Sequence, residues 1–311
     1  MYEERFKEAV HTQDVLGAVL AAQSAEDLDK RLQPLEGHTL LTYAIKYGTE
    51  TLAQLLMEMG ADARTSCAMG NTPVYYAVQN NYADTLRLLF EMGAKPKANT
   101  VGMGSLWLAA AHTCNTEIYN LLIENGIDVN TQDTEGWSPL HTTSAHGTIE
   151  CCKALLQAGA DINAQTYIGG MTPLYHSVIR HDKYVCEFLV NAGAGVNIPI
   201  STGKTALHSA ARKGYKDVCK ILIEAGANVD ALDGNNDTPL HLASVADHKP
   251  ICQMLIAAGA DVEHKNTNKI TPWHRAYGET KTLLENSKPP RGIRHWIYAP
   301  LRKLKKTLHI R

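Results

Sequence analysis

Thr238-Pro239-Leu240-His241-Leu242-Ala243-Ser244, followed five residues later by Pro250-Ile251-Cys252-Gln253-Met254-Leu255-Ile256-Ala257-Ala258-Gly259, decides the fold. Pro239 suits the first turn of a helix, where its missing N–H would have no intrahelical partner anyway. Thr238 is placed to cap that helix with its side-chain oxygen. Leu240, Ala243 and Ser244 give a face of small residues at helical spacing, which lets a neighbour approach closely. A second helix is predicted from about Pro250 to Ala258, with Ile251, Leu255 and Ile256 on its buried face. Gly259 ends it in the left-handed conformation that glycine tolerates best. Lys265, Asn266 and Asn268 then make a polar turn.

The same text recurs along the chain. Ser138-Pro139-Leu140-His141 and Thr205-Ala206-Leu207-His208 are close variants; Thr72-Pro73-Val74-Tyr75, Thr172-Pro173-Leu174-Tyr175 and Thr271-Pro272-Trp273-His274 are looser ones. Counting from two residues before each Thr, units start at 37, 70, 103, 136, 170, 203, 236 and, truncated, 269, a period of 33 with one extra residue in unit 136–169. The unit ends keep the same phase, as in Ala158-Gly159-Ala160-Asp161-Ile162-Asn163, Ala225-Gly226-Ala227-Asn228-Val229-Asp230 and Ala258-Gly259-Ala260-Asp261-Val262-Glu263. Neither helix of a unit can bury its apolar side alone, so neighbours bury each other.

These motifs resemble the ankyrin-repeat family over residues 37–286. Some units depart from its pattern: Thr39-Leu40-Leu41-Thr42 lacks Pro, unit 103–135 reads Ser105-Leu106-Trp107-Leu108, and unit 236–268 begins with Asn236 instead of Gly. The resemblance implies an all-α solenoid of helix-turn-helix units joined by short hairpin-like turns, working as an adaptor that holds a protein partner on its tips and concave face. It also implies that the recurring His ties its unit's turn by hydrogen bonds. Asn130 and Asn163, with Leu122 and Leu155 eight residues before and Asp-Val or Asp-Ile immediately before, resemble the asparagines hydroxylated in some ankyrin repeats of animals.

Residues 1–36 read as a degenerate capping unit, with Phe6, Val10, Val15, Leu16, Val19 and Leu20 covering the first full unit and Arg5, Lys7, Glu26 and Asp27 facing water. The apolar run 15–22 lacks the basic flank of a signal peptide and is far shorter than the ~20 residues of a membrane span. A cytoplasmic chain is expected, with the nucleus also open to it. Only the two ends, 1–36 and 287–311, lie outside the array, and neither is long enough for a catalytic domain, so no enzyme activity and no cofactor are expected.

Several residues mimic chemistry. His141, His208, His241 and His274 occupy one position of successive units, too far apart to converge on a metal. Cys152, Cys186, Cys219 and Cys252 recur among apolar neighbours, as small core-filling thiols would. Gly203-Lys204-Thr205 ends like a phosphate-binding loop, but Ile198 stands where that motif needs Gly. Cys114, near His112 and Glu117, stands at the inter-helix turn where Gly147 and Gly214 stand in other units, with no orienting acid indicated.

Binding falls to the variable positions. Turn tips without a role should be polar, yet Trp137, Tyr167, Ile168, Met171, Ile198 and Ile200 fall in tips. Grouped aromatic, Met and aliphatic residues fit a partner surface; packing across neighbouring turns is the other reading. The net charge of −2 advertises no general affinity for nucleic acid or acidic membrane. Residues 287–311, however, carry eight Lys or Arg and no Asp or Glu, which leaves 22 basic against 32 acidic residues in the body. Leu301, Leu304 and Leu308 share one helical face there, and Trp296, Arg302, Lys303, Lys305 and Lys306 are the contact residues expected of the segment. It suits a cap on the last unit, an anionic membrane surface or a protein partner; nucleic acid fits less well. Recruitment of substrates to a ubiquitin ligase is a further alternative. Pro300-Leu301 resembles the start of a degradation-adaptor box, but Lys305 stands where that box has Cys.

Overall fold

The computed structural model describes residues 2–31, 35–95, 103–146 and 148–287, and the chain divides into two compact bodies, 1–194 and 195–311. Among the described residues there is no β-strand, and no helix is long and apolar enough to cross a membrane. The first body contains α1 (Tyr2–His11), α2 (Val15–Gln23), α3 (Leu40–Tyr47), α4 (Glu50–Glu58), α5 (Pro73–Gln79), α6 (Ala83–Glu91), α7 (Met103–Thr113), α8 (Thr116–Glu124), α9 (Pro139–His146), α10 (Ile149–Gln157), α11 (Pro173–Ile179) and α12 (Lys183–Asn191). The second contains α13 (Ala206–Lys213), α14 (Lys216–Glu224), α15 (Pro239–Val245), α16 (Lys249–Ala257), α17 (Pro272–Arg275) and α18 (Gly278–Asn286).

Within each body the first helices of successive hairpins pack on one another, as do the second helices. This is the nearest-neighbour packing of an ankyrin-repeat solenoid. The hairpins start where the sequence places caps. Thr72, Thr172 and Thr238 each accept a backbone N–H of the first turn, with Pro immediately following. The second helices α4, α6, α8, α10, α12, α14 and α16 end on left-handed glycines. At Gly159, with φ of +91°, an added Cβ would meet nothing within 4 Å, so the backbone conformation alone calls for glycine.

Leu140, Leu155, Leu174 and Leu189 are fully or almost fully buried in the first body, and Leu207, Leu222, Leu240 and Leu255 in the second. Cys152, Cys186, Cys219 and Cys252 are free thiols inside these cores. Burial raises the thiol pKa to about 12 at Cys152 and Cys186 and to about 11 at Cys252, which keeps them protonated and unreactive.

The N-terminal hairpin corrects part of the sequence reading. Phe6 and Val10 are buried as expected, but Leu16 and Leu20 are 69% and 56% exposed, and Val15 and Val19 only half-buried. Helix α2 meets α4, and its buried residues are Ala18, Ala21 and Ala22. An all-apolar helix has no periodicity to say which stripe faces in, and here the small residues take the contact. At the other end, Leu284 of α18 is buried. The Trp273 ring lies under Lys281, with Nζ 4.6 Å from its centroid, and its Nε1 donates to Glu285 at 3.1 Å.

Candidate protein-binding site

The turn tips share one hydrogen-bonded frame. In the first body, Asp133 N donates to Trp137 O and Gly136 N to Asp133 O, both at 3.0 Å. Asp133 Oδ1 also accepts from Glu135 N and Trp137 N at 2.9 and 2.8 Å, a side chain serving as an internal turn acceptor. In the second body, Asp233 repeats this with Asn235 and Asp237. Asn266 does so with Asn268 and Ile270. Adjacent tips are tied through the backbone, Gly234 N to Thr202 O at 2.8 Å and Thr267 N to Asn235 O at 3.0 Å.

Where a unit carries the recurring His, it locks the frame to its helix. Thr238 N donates to His241 Nδ1 at 3.2 Å, which leaves Nε2–H to donate to Ile270 O in the next tip at 3.0 Å. His208 does the same with Thr205 and Asp237 O. His141 does it with Ser138 and Met171 O. Both ring nitrogens are used only if the imidazole is neutral. Burial holds all three pKa values below the ordinary value, consistent with that state.

Tip 166–171 departs from the pattern. Thr166 N donates to Met171 O and Gly170 N to Thr166 O, each spanning one residue more than at the other described tips. The extra residue of unit 136–169 therefore sits in this tip. Gly169 and Gly170 carry it with φ of +87° and +63°. Thr166 Oγ1 donates to Ile168 O at 2.8 Å and accepts from Met171 N at 3.0 Å, closing the larger loop. Tyr167 N donates to Glu135 O at 2.9 Å, and a Cβ on Gly136 would collide with Tyr167, so the two tips are in close contact. Tyr167 and Ile168 project into solvent, 68% and 70% exposed.

The other sequence-designated residues separate. Trp137 is half-buried, its ring centroid 4.2 Å from that of His176 and 6.2 Å from that of His141. Of the two readings of Trp137, the ring geometry favours packing across neighbouring turns, since Trp137 covers the imidazoles of His176 and His141. Burial, with some repulsion from His141, lowers the His176 pKa to about 4. Met171 is half-buried beside Gly169. Ile198 and Ile200 belong to the second body and are both half-buried, Ile200 N donating to Lys204 O at 2.9 Å in its own tip. Trp296, Arg302, Lys303, Lys305 and Lys306 lie outside the described residues. The sequence reading missed Met69, 56% exposed in tip 67–71, and Tyr184, 63% exposed at the start of α12. Comparing tip positions one by one across units would have found Met69.

Asn130 joins its unit to the next, with Nδ2 donating to Gly159 O at 3.0 Å and Oδ1 accepting from Asp161 N at 2.8 Å. Asn163 N donates to Asp161 Oδ1 at 2.9 Å. Cys114 is exposed at φ of +51°, and its Sγ donates to Ala111 O. Glu117 pairs with Arg87, and His112 stacks on His146 and bonds Leu108 O, while the thiol's hydrogen-bond partners are the carbonyls of Ala111 and His146. Among the described residues no group of three or more His, Cys, Asp or Glu is arranged to hold a metal.

A family model described as Ankyrin repeats (3 copies) matches residues 9–100, 106–200 and 185–266. Similar curated proteins include the B-cell lymphoma 3 protein homolog of Mus musculus, 32% identical over 116 residues, 36% of this chain and 26% of that protein. The SMC5-SMC6 complex localization factor protein 1 of Homo sapiens is 29% identical over 100 residues, 32% of this chain and 10% of that protein. The glycerophosphocholine phosphodiesterase gde1 of Schizosaccharomyces pombe is 31% identical over 106 residues, 33% of this chain and 9% of that protein. The chain thus spans about a quarter or less of the length of these relatives.

Proposed function

The chain belongs to the ankyrin-repeat family, and from that premise we propose that it is a non-enzymatic adaptor that holds a protein partner at the lengthened tip 166–171. Ankyrin repeats generally mediate protein–protein interaction. The observation that carries the assignment to this tip is the exposure of Tyr167 and Ile168 on the one enlarged turn among the described residues. A turn made longer and more apolar than its neighbours exposes surface that its own frame does not need. Such surface is characteristic of contact sites. Trp137 and Met171 support the display from beneath.

Affinity purification tests the reading. The intact chain should retain a set of proteins that the Tyr167→Ala/Ile168→Ala double variant loses, while a control variant at Leu108, exposed on α7, keeps them. Identical protein sets from all three would refute the assignment. Residues 287–311 remain a second contact or location signal on sequence grounds. Charge reversal of Lys303, Lys305 and Lys306 tests that separately, through vesicle binding and partner recovery.

A further inference from the structure

We infer that the occupant of tip 166–171 is a cationic protein segment carrying apolar side chains, an inference that rests on the proposed binding role of that tip. The argument is charge complementarity around an apolar centre. Tyr167 and Ile168 stand exposed, and the tip they lean on is Asp133-Thr134-Glu135, whose Glu135 is exposed and gives its backbone oxygen to Tyr167 N. Asp128 and Asp161 are exposed before these tips. Unit 103–135 holds Glu117, Glu124, Asp128, Asp133 and Glu135 and no Lys or Arg, and unit 136–169 holds Lys153 alone, on α10. No cation of either unit therefore stands in these tips to neutralise the carboxylates.

The other tips differ in ways that matter for the choice. Lys204 stands in tip 200–204, and Lys269 in tip 266–270, beside Thr267 and Asn268. Each of those two turns carries a cation, which disfavours a cationic segment, and tip 233–237 buries Asp233 and Asp237 and shows only Gly234, Asn235 and Asn236, so among these tips 166–171 alone joins exposed apolar side chains to an adjacent exposed carboxylate. An acidic segment would place carboxylates against Glu135, and like charges facing each other at an interface are disfavoured. A neutral apolar segment would use Tyr167 and Ile168 but leave the acidic rim without a partner. The pairing of apolar anchors at the centre with charge at the rim predicts a division of labour: the anchors set residence time, and the carboxylates set the on-rate and its salt dependence.

The test measures fluorescence anisotropy of the full chain with synthetic peptides of equal length. One is rich in Lys and Arg and contains Leu and Trp. A second has Glu in place of each cation. A third is neutral and keeps the Leu and Trp, and a fourth keeps the cations and has Ser for each apolar residue. The first should bind tightest. Its affinity should fall at least tenfold, about 1.4 kcal/mol, in the Tyr167→Ala/Ile168→Ala variant. It should fall several-fold in Glu135→Lys, with a shallower salt dependence than wild type. Tip-dependent binding of the neutral peptide equal to that of the cationic one would overturn this inference and leave the proposed function standing. Cationic binding that is unchanged in the tip variant would place it on the general acidic surface and overturn the inference. Binding of no peptide in a Tyr167-dependent way would count against both. Tenfold tighter, tip-dependent peptide binding by an Arg302→Gln/Lys303→Gln/Lys305→Gln/Lys306→Gln chain would identify the chain's own basic segment as the occupant and overturn an external partner.

Discussion

Tip 166–171 in the first body and tip 233–237 in the second are built on the same plan and present opposite surfaces. In both, a residue at the base closes the turn with backbone bonds and a side-chain oxygen, Thr166 in one and Asp233 in the other. Both receive an Nε2–H bond from the histidine of the preceding unit, His141 to Met171 O and His208 to Asp237 O. Yet 233–237 reads Asp-Gly-Asn-Asn-Asp and shows water polar side chains, whereas 166–171 is one residue longer and shows Tyr167 and Ile168. The frame and the display are therefore separable. On the proposed reading, changes to the frame residues should cost stability and changes to the display residues should cost binding.

The comparison breaks most readily at the shared frame. His241→Leu should remove the cap partner of Thr238 N and leave Ile270 O without its donor, for a loss of about 2–3 kcal/mol. His141→Leu should cost a similar amount in the first body. Urea unfolding followed by circular dichroism measures both, and an effect confined to one body would show that the frames are not equivalent.

Trp137→Ala comes next. Its ring covers His176 at 4.2 Å, so truncation should cost about 1–2 kcal/mol and expose an imidazole that is now dry. Unchanged stability would return Trp137 to the display class.

Acid should act through the same buried rings. His38 and His176 have folded pKa values of about 4 against an ordinary 6.5, in both cases mainly because burial disfavours the cation. The unfolded chain then binds more protons than the folded one between those values. Stability is full above pH 6.5 and falls as pH drops from 6.5 to about 4. Melting temperatures across that range should show the decline, and His176→Phe should make it shallower.

The smallest effect on stability belongs to the display. Tyr167→Ala and Ile168→Ala should each change unfolding free energy by under about 0.5 kcal/mol. Hydroxylation of Asn130, a proposal from the family resemblance alone, would place an oxygen beside the bonds to Gly159 and Asp161. Mass spectrometry of the native protein shows whether it occurs.

The repeat was legible because its residues answer to backbone demands: Thr238 to a cap, Pro239 to a first turn, Gly159 to a left-handed φ. Such demands recur every 33 residues and leave a periodic trace. Burial at single variable positions leaves none. Trp137 and Tyr167 look alike as aromatic residues in tips, and only the position of His176 separates them. Leu16 and Leu20 are strongly hydrophobic and exposed, because α2 contacts its neighbour with alanines. The extra residue of unit 136–169 was countable, but its place in the tip depended on which carbonyl Thr166 and Gly170 reach.

The most direct test sets stability beside partner affinity for two variants of one aromatic pair, Trp137→Ala and Tyr167→Ala. The account predicts that Trp137→Ala lowers the unfolding free energy, while Tyr167→Ala leaves it unchanged and weakens partner binding at least tenfold. Loss of stability in Tyr167→Ala with full binding retained would contradict the separation of frame from display.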